Sequence, residues 1–286
     1  MDVAFLAILG GLIARPIYGA RSQRNYAFPA LVWVLAAANL VEHLEWAELL
    51  SHSGAPRRVA ILAIVALIII FGGRILPLFT RNALRRARQA QGVEGPNPVR
   101  EVNTIDTAAM VISALLIPLT IFVDHHPAMA VAFALAAALN LLRMRGWATR
   151  HTLRDPLLLI LHLAYGWIPL AFAINAVSQY DVHLVPVSVA VHALTAGVIG
   201  SFAMAMMSRV MRGHTGRPLV APRIISAAFV LVSAAALVRV FGPLILSTKI
   251  ATVWSISSHI WGTAFLILVA VDLPKALAPR PDGKLG

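Results

Sequence analysis

The sequence predicts an all-α fold, a polytopic transmembrane bundle of about nine helices forming one domain over residues 1–286. Three observations predict it. Of the 286 residues, 59% are hydrophobic and 13% are charged, where an ordinary soluble domain has about a quarter charged. Apolar stretches long enough to cross a hydrocarbon core of ~30 Å recur from end to end. The basic residues crowd into every second connection, the pattern that membrane topology imposes. Together these exclude a disordered chain, which needs low hydrophobicity and high charge. They also speak against a soluble enzyme. No segment has the alternation of a barrel strand. The chain has no Cys, which excludes disulfides, thiolate metal sites and a Cys nucleophile.

A window of about 20 residues gives the spans in order. The first, 3–20, is apolar to Ala14, then meets Arg15 and must run past Pro16. Arg15 snorkels toward the near interface. This segment does not match the signal-peptide pattern, because its start carries Asp2 and no basic residue and Arg15 follows the apolar run. The second span is 27–44. The third, 57–80, is unbroken apolar sequence over 59–71 and continues through Gly72-Gly73-Arg74. The next are 103–122, 127–146, 156–177, 186–208, 222–242 and 248–271. Pro29, Pro56, Pro127, Pro156, Pro186 and Pro222 fall at or near helix starts, where proline costs little.

The connections test this count. The first holds Arg15, Arg21 and Arg24, and the third Arg81, Arg85, Arg86, Arg88 and Arg100. The fifth has Arg143, Arg145, Arg150 and Arg154, and the seventh Arg209, Arg212, Arg217 and Arg223. With Lys275, Arg280 and Lys284 of the tail, nineteen of the 24 Lys and Arg residues lie on one predicted side. The even connections hold Arg57, Arg58 and Lys249. Positive-inside orientation then puts the C-terminus in the cytoplasm and the N-terminus outside. A reporter fused after Gly286 is expected to be cytoplasmic and one after His125 external; both on one side would overturn the count. The formal net charge of +12 is thereby a topological signal. The partner it implies is the lipid bilayer, not nucleic acid.

Ionisable residues inside spans are rare and expensive, so each is a candidate site. They are His43, Arg74, Asp106, His162, His192, Arg239 and His259, with Glu42 and Glu45 at a helix end. Imidazole suits haem iron, copper and zinc. At a rise of ~1.5 Å per residue, His162 and His192 each lie about 9 Å deep, from opposite sides. They are then separated by roughly 12 Å along the normal and do not share one iron. His43, His192 and Arg239 form an expected outer group. His162 and Arg74 form an inner one, with His259 between them. Two His on different helices can take both axial positions of a haem, and an Arg can pair with a propionate. The alternative for each His is a hydrogen bond to a neighbouring helix.

Weaker features have structural readings beside functional ones. Asp124-His125-His126 offers Cu or Zn ligands, or a solvated turn. Met204, Met207 and Met211 recur on one helix face and suit Cu(I), or simply fill a core. Ala193, Gly197 and Ser201 make a small-residue seam for close packing. Gly213-His214-Thr215-Gly216-Arg217 either binds an anion or joins two helices. Gly72-Gly73 lets backbone approach closely beside a buried cation, taken to be Arg74. No G-x-x-x-x-G-K-[ST], H-E-x-x-H or G-x-S-x-G occurs, so NTPase, zincin and α/β-hydrolase readings find no support.

Four strings carry a resemblance. They are GGRILPLFTRNAL at 72–84, HLAYGWIP at 162–169, HALTAGVIGSFAMAMMSRVMRGHTGRPL at 192–219 and PRPDGK at 279–284. In content and order they resemble the NnrS family of bacterial inner-membrane proteins. The resemblance implies haem, extends to copper, and points to nitric oxide metabolism and nitrosative stress. Nitric oxide is then the expected small ligand, binding a haem with an open axial position. Matched polar positions are Arg74, Arg81, Asn82, His162, Tyr165, His192, Arg209, His214 and Arg217, with His43 beside them. The combined expectation is His192, His162, His43 and His259 as metal ligands, and Arg74, Arg239, Tyr165, His214 and Arg217 as cofactor-binding residues. Typical members have about twelve helices and an early H-x-H-E-M element. The expectation is therefore a chain lacking three N-terminal helices, an exposed face on its first three, and weak metal loading. The competing reading is a transporter or export scaffold whose buried Arg and His line a substrate path.

Overall fold

The computed structural model describes residues 2–92, 95–123, 126–281 and 283. Among them nine helices are long and apolar enough to cross a membrane. They are α1 (Asp2–Gly19), α2 (Ala27–Trp46), α3 (Ala55–Gln91), α4 (Asn103–Phe122) and α5 (Pro127–Met144). Then follow α6 (Pro156–Tyr180), α7 (Val187–His214), α8 (Arg223–Ile245) and α9 (Ile250–Leu277). No strand occurs among the described residues. Pro56, Pro127 and Pro156 open α3, α5 and α6 at the first or second position, where the missing amide is unpaired anyway.

Two helices differ from the sequence expectation. Helix α3 runs 37 residues, eleven past the predicted end at 80. Residues 81–91 are mostly Arg, Ala, Leu and Gln, all good helix formers. Gly92 stops them at φ 65, a left-handed conformation that glycine adopts without strain. A helix of this length reaches about 55 Å, so its last turns stand clear of a ~30 Å core. Helix α7 is interrupted: residues Ala193–Gly200 wind as a π-helix between two α-helical parts. Such stretches are rare and concentrate at functional sites. Nothing in the apolar run ALTAGVIG announces it.

Consecutive helices pack side by side, and α6 touches α3, α5, α7 and α8. The most apolar windows of α3, α6 and α7 are 61%, 67% and 61% buried, against 11% for α1 and 17% for α9. The core is thus built on α3, α6 and α7, and the first and last helices are peripheral. Tyr165, Trp147, Leu161, Ile69, Leu76 and Met204 are fully enclosed. Of the three methionines on one face, only Met204 is buried, and Met207 is 45% exposed.

The basic connections meet at one end of the bundle. Arg74 donates to Asn25 Oδ1 at 2.7 Å and to the Arg24 carbonyl at 2.5 Å, tying down the α1–α2 connection. The Arg100 amide donates to the Gly146 carbonyl at 2.7 Å, joining the third and fifth connections. Arg280 donates to the His214 carbonyl and Arg217 to the Lys275 carbonyl, both at 2.8 Å. These last bonds hold the tail to the seventh connection. The alternation read from charge is thus an alternation in space, with an arginine-rich end and an opposite end.

Candidate functional site: a cavity between α7, α8 and α9

The deepest polar cell lies toward the arginine-rich end, around Arg143, which is 5% exposed. Its Nε donates to Asp106 Oδ1 at 2.6 Å. Its Nη1 donates to the Ile69 carbonyl at 3.0 Å and to the Tyr165 hydroxyl at 2.9 Å. The Tyr165 hydroxyl in turn donates to Asn140 Oδ1 at 2.9 Å, and Asn140 Nδ2 donates onward to Ser113 Oγ at 3.1 Å. The guanidinium also lies over the Trp147 ring, 5.6 Å from its centroid. A Cβ on Gly73 would overlap this guanidinium, and one on Gly72 would meet Tyr165 at 3.0 Å. The paired glycines do admit a buried cation, as expected, but it is Arg143. Arg74 is only half buried and tethers a connection.

His162 sits one turn from Tyr165 and is 1% exposed. Both ring nitrogens are engaged, Nε2 with Thr80 Oγ1 and Nδ1 with Thr149 Oγ1, each at 2.9 Å. The Thr80 hydroxyl already donates to the Leu76 carbonyl at 2.8 Å. It therefore accepts from Nε2–H, and Nδ1 accepts from Thr149. His162 is a neutral, doubly bonded core histidine with no spare lone pair.

His43 is 44% exposed and meets Asp2, its Nε2 lying 3.0 Å from Oδ2. It lies on α2, which packs against α1 and α3, away from His192. His259 is exposed on α9, and its Nδ1 donates to the Ser255 carbonyl at 2.8 Å. His214 is exposed and contributes its carbonyl to the Arg280 bond. Arg217 is spent on backbone carbonyls of Lys275 and Thr215. His126 caps α5, accepting from the Ala128 amide at 3.1 Å; Asp124 and His125 lie outside the described residues. The nine candidates are thus dispersed over the bundle, and only one pair of them is joined.

That pair is His192 and Arg239. Arg239 Nη2 donates to His192 Nε2 at 3.1 Å. Trp254 underlies both, its ring centroid 5.0 Å from the imidazole and 5.0 Å from the guanidinium carbon. Arg239 Nη1 donates to the Trp254 carbonyl at 3.2 Å and more loosely to Ser258 at 3.4 Å. No carboxylate pairs with Arg239 among the described residues. Because Nε2 accepts, the ring proton resides on Nδ1, which is buried without a partner. Both groups line a cavity of about 470 Å³ completed by Thr195, Ala196, Gly200, Ser257, Ser258 and Trp261. The π-helical segment of α7 forms one wall and follows His192 directly. Gly200 lets the Trp261 indole close against that wall, since a Cβ there would meet Nε1 at 3.0 Å. Ser258 and Trp261 are exposed, so the cavity opens on the side of the bundle.

A family model described as NnrS protein matches residues 1–280. The chain belongs to the NnrS family. No curated protein and no solved structure matches it. The strings that suggested the family coincide with three structural devices. The GGR string makes the notch for Arg143, and HLAYGWIP carries His162 and Tyr165 into the core. The string at 192–219 begins at the cavity and holds the π-helix.

Sequence reasoning missed Arg143 and Arg212, and although Arg209 stood among the matched positions, all three were counted as connection charges. They are 5%, 6% and 5% exposed. Arg209 lies over the Phe79 ring at 4.1 Å. Arg212 pairs with buried Asp272 at 2.9 Å. The signal was present in the acids: Asp106 and Asp272 lie at the basic ends of apolar helices, where a carboxylate must find a cation.

Proposed function

We propose that this member of the NnrS family is a haem-binding, multi-pass protein of the bacterial inner membrane serving the nitric oxide response. The haem site we assign is the cavity beside His192. One observation carries the reading: the cavity contains one imidazole and, joined to it, a cation with no carboxylate partner among the described residues. That combination suits haem, an imidazole for iron and a guanidinium for a propionate. Among the residues lining the cavity, His192 alone carries an imidazole, so it is the residue that would hold the iron. Haem, when bound, would supply the iron chemistry; His192 would hold it, Trp254 packs against the imidazole, and Arg239 would pair with a carboxylate. The arginine-rich end faces the cytoplasm by the positive-inside rule. The cavity then lies toward the periplasmic side. No three His, Cys, Asp or Glu side chains group closely enough to hold a metal among the described residues, so we assign no residues to copper.

The test is haem titration of the full chain in lipid nanodiscs. The wild type should develop a Soret band. His192→Ala should lose or strongly shift it at equal membrane insertion. His162→Ala should keep it, because both nitrogens of that ring serve threonines. An unaltered band in His192→Ala removes the cavity from the haem reading.

A further inference from the structure

The His192–Arg239 pair has a consequence beyond holding a cofactor. The only lone pair on a neutral imidazole is the one a metal takes. In His192 that lone pair, on Nε2, accepts a hydrogen bond from Arg239 at 3.1 Å. The other nitrogen carries the proton and is buried. As it stands, His192 is therefore capped. The cap is a permanent cation, because guanidinium does not deprotonate in proteins. A bare divalent metal approaching Nε2 meets both an occupied lone pair and a like charge within a few ångströms, in a medium that screens poorly.

Among the described residues, the cap itself is held by neutral groups only. Its partners are the Trp254 carbonyl, the Ser258 hydroxyl at 3.4 Å, the imidazole and the Trp254 ring face. An arginine inside an apolar span without a counter-anion is costly. An oxyanion entering the cavity relieves that cost through charge-assisted, bidentate hydrogen bonds, stronger than any Arg239 makes here. As the guanidinium turns to the anion, Nε2 is released. The lateral opening at Ser258 and Trp261 gives entry from the bilayer. By its place in α9, Trp261 lies about 17 Å from the start of the helix, well inside the span.

We propose that Arg239 gates His192: a carboxylate or other oxyanion must engage the guanidinium before Nε2 accepts a metal. The cavity thereby selects anionic ligands, or metal complexes that carry an anionic group, and turns away bare divalent cations. The gate stands independently of haem, since it concerns any oxyanion; resting on the haem reading, it makes a free propionate necessary for loading.

Two arms test it on the full chain in nanodiscs. In the first, haem and haem dimethyl ester, which lacks free carboxylates, are titrated into wild type, Arg239→Lys and Arg239→Leu. Wild type should prefer haem by about tenfold or more, as expected for a charge-assisted contact. Arg239→Lys should retain part of the preference and Arg239→Leu should lose it. In the second arm, haem-free protein with nitrogen-15 histidine is titrated with acetate and, separately, with Zn²⁺ alone. His192 is assigned by its absence in His192→Asn. Acetate should shift the His192 signal in wild type and Arg239→Lys but not in Arg239→Leu. Zn²⁺ without acetate should shift it only in Arg239→Leu. A Zn²⁺ shift of His192 in acetate-free wild type overturns the gate, as does equal binding of haem and its ester. Failure of both porphyrins to bind, with the acetate and Zn²⁺ pattern intact, overturns the haem reading and leaves the gate standing.

Discussion

Gly73→Ala is expected to destabilise the bundle by about 3–5 kcal/mol, the range for disrupting a buried ion pair. The added methyl falls on the Arg143 guanidinium. That group has nowhere to go. Asp106 holds it at 2.6 Å, the Ile69 carbonyl and Tyr165 hydroxyl hold it at 3.0 and 2.9 Å, and Trp147 lies against its face. Displacing it strands Asp106 and breaks the chain through Tyr165 and Asn140 to Ser113. The comparison is Gly11→Ala, where a Cβ meets nothing within 4 Å. That change should be neutral, or favourable by up to about 1 kcal/mol from helix propensity. Unfolding midpoints in SDS–detergent mixtures measure both. A Gly73→Ala protein within about 0.5 kcal/mol of wild type, the scale of ordinary surface changes, would mean that Arg143 has room to move.

Asp272→Asn should have the second largest effect, again about 3–5 kcal/mol because it leaves a buried cation uncompensated. Asp272 is 1% exposed, and its Oδ1 accepts from both Arg212 and Lys275 at 2.9 Å. Neutralising it leaves two cations facing each other at the arginine-rich end of α9. The same turn receives the Arg217 bond to the Lys275 carbonyl. Loss of stability should therefore come with easier proteolysis of the segment following Leu277. Lys275→Ala is the contrast. Its side chain is 30% exposed, and a partly solvated pair contributes at most about 1 kcal/mol. Equal effects from Asp272→Asn and Lys275→Ala would show that Arg212 does not depend on Asp272.

The nine spans and their alternation were legible because both signals are local sums. An apolar window of about 20 residues can satisfy its backbone in lipid only as a helix. Charge in the connections is likewise read without knowing any contact. The end of α3 was less legible. Hydropathy marks where lipid contact stops, whereas helix propensity carries the chain on to Gly92. Proline and glycine at the start of α3 and the end of its basic extension act through their own backbone, so their roles are also visible in sequence.

The site was legible only in part. His192 and Arg239 were both nominated, and their junction depended on α7 and α8 facing each other at one level. The expected companionship of His43 with His192 depended on two helices meeting, and α2 instead packs against α1 and α3. Arg143 was hidden in the opposite way. Its place among basic connection residues made it look solvated, and only the Gly73 notch on a helix seventy residues earlier makes room for it. The π-helix left no mark in an apolar run. By itself the sequence determined the number of helices, their alternation, the basic end and the family, because these follow from the composition and order of short segments. Tertiary structure alone decided which cation is buried, which histidine has both nitrogens filled, and which one shares a cavity with a cation unpaired among the described residues. Each of these depends on two or more helices brought together at a given depth and rotation, information that no single segment carries.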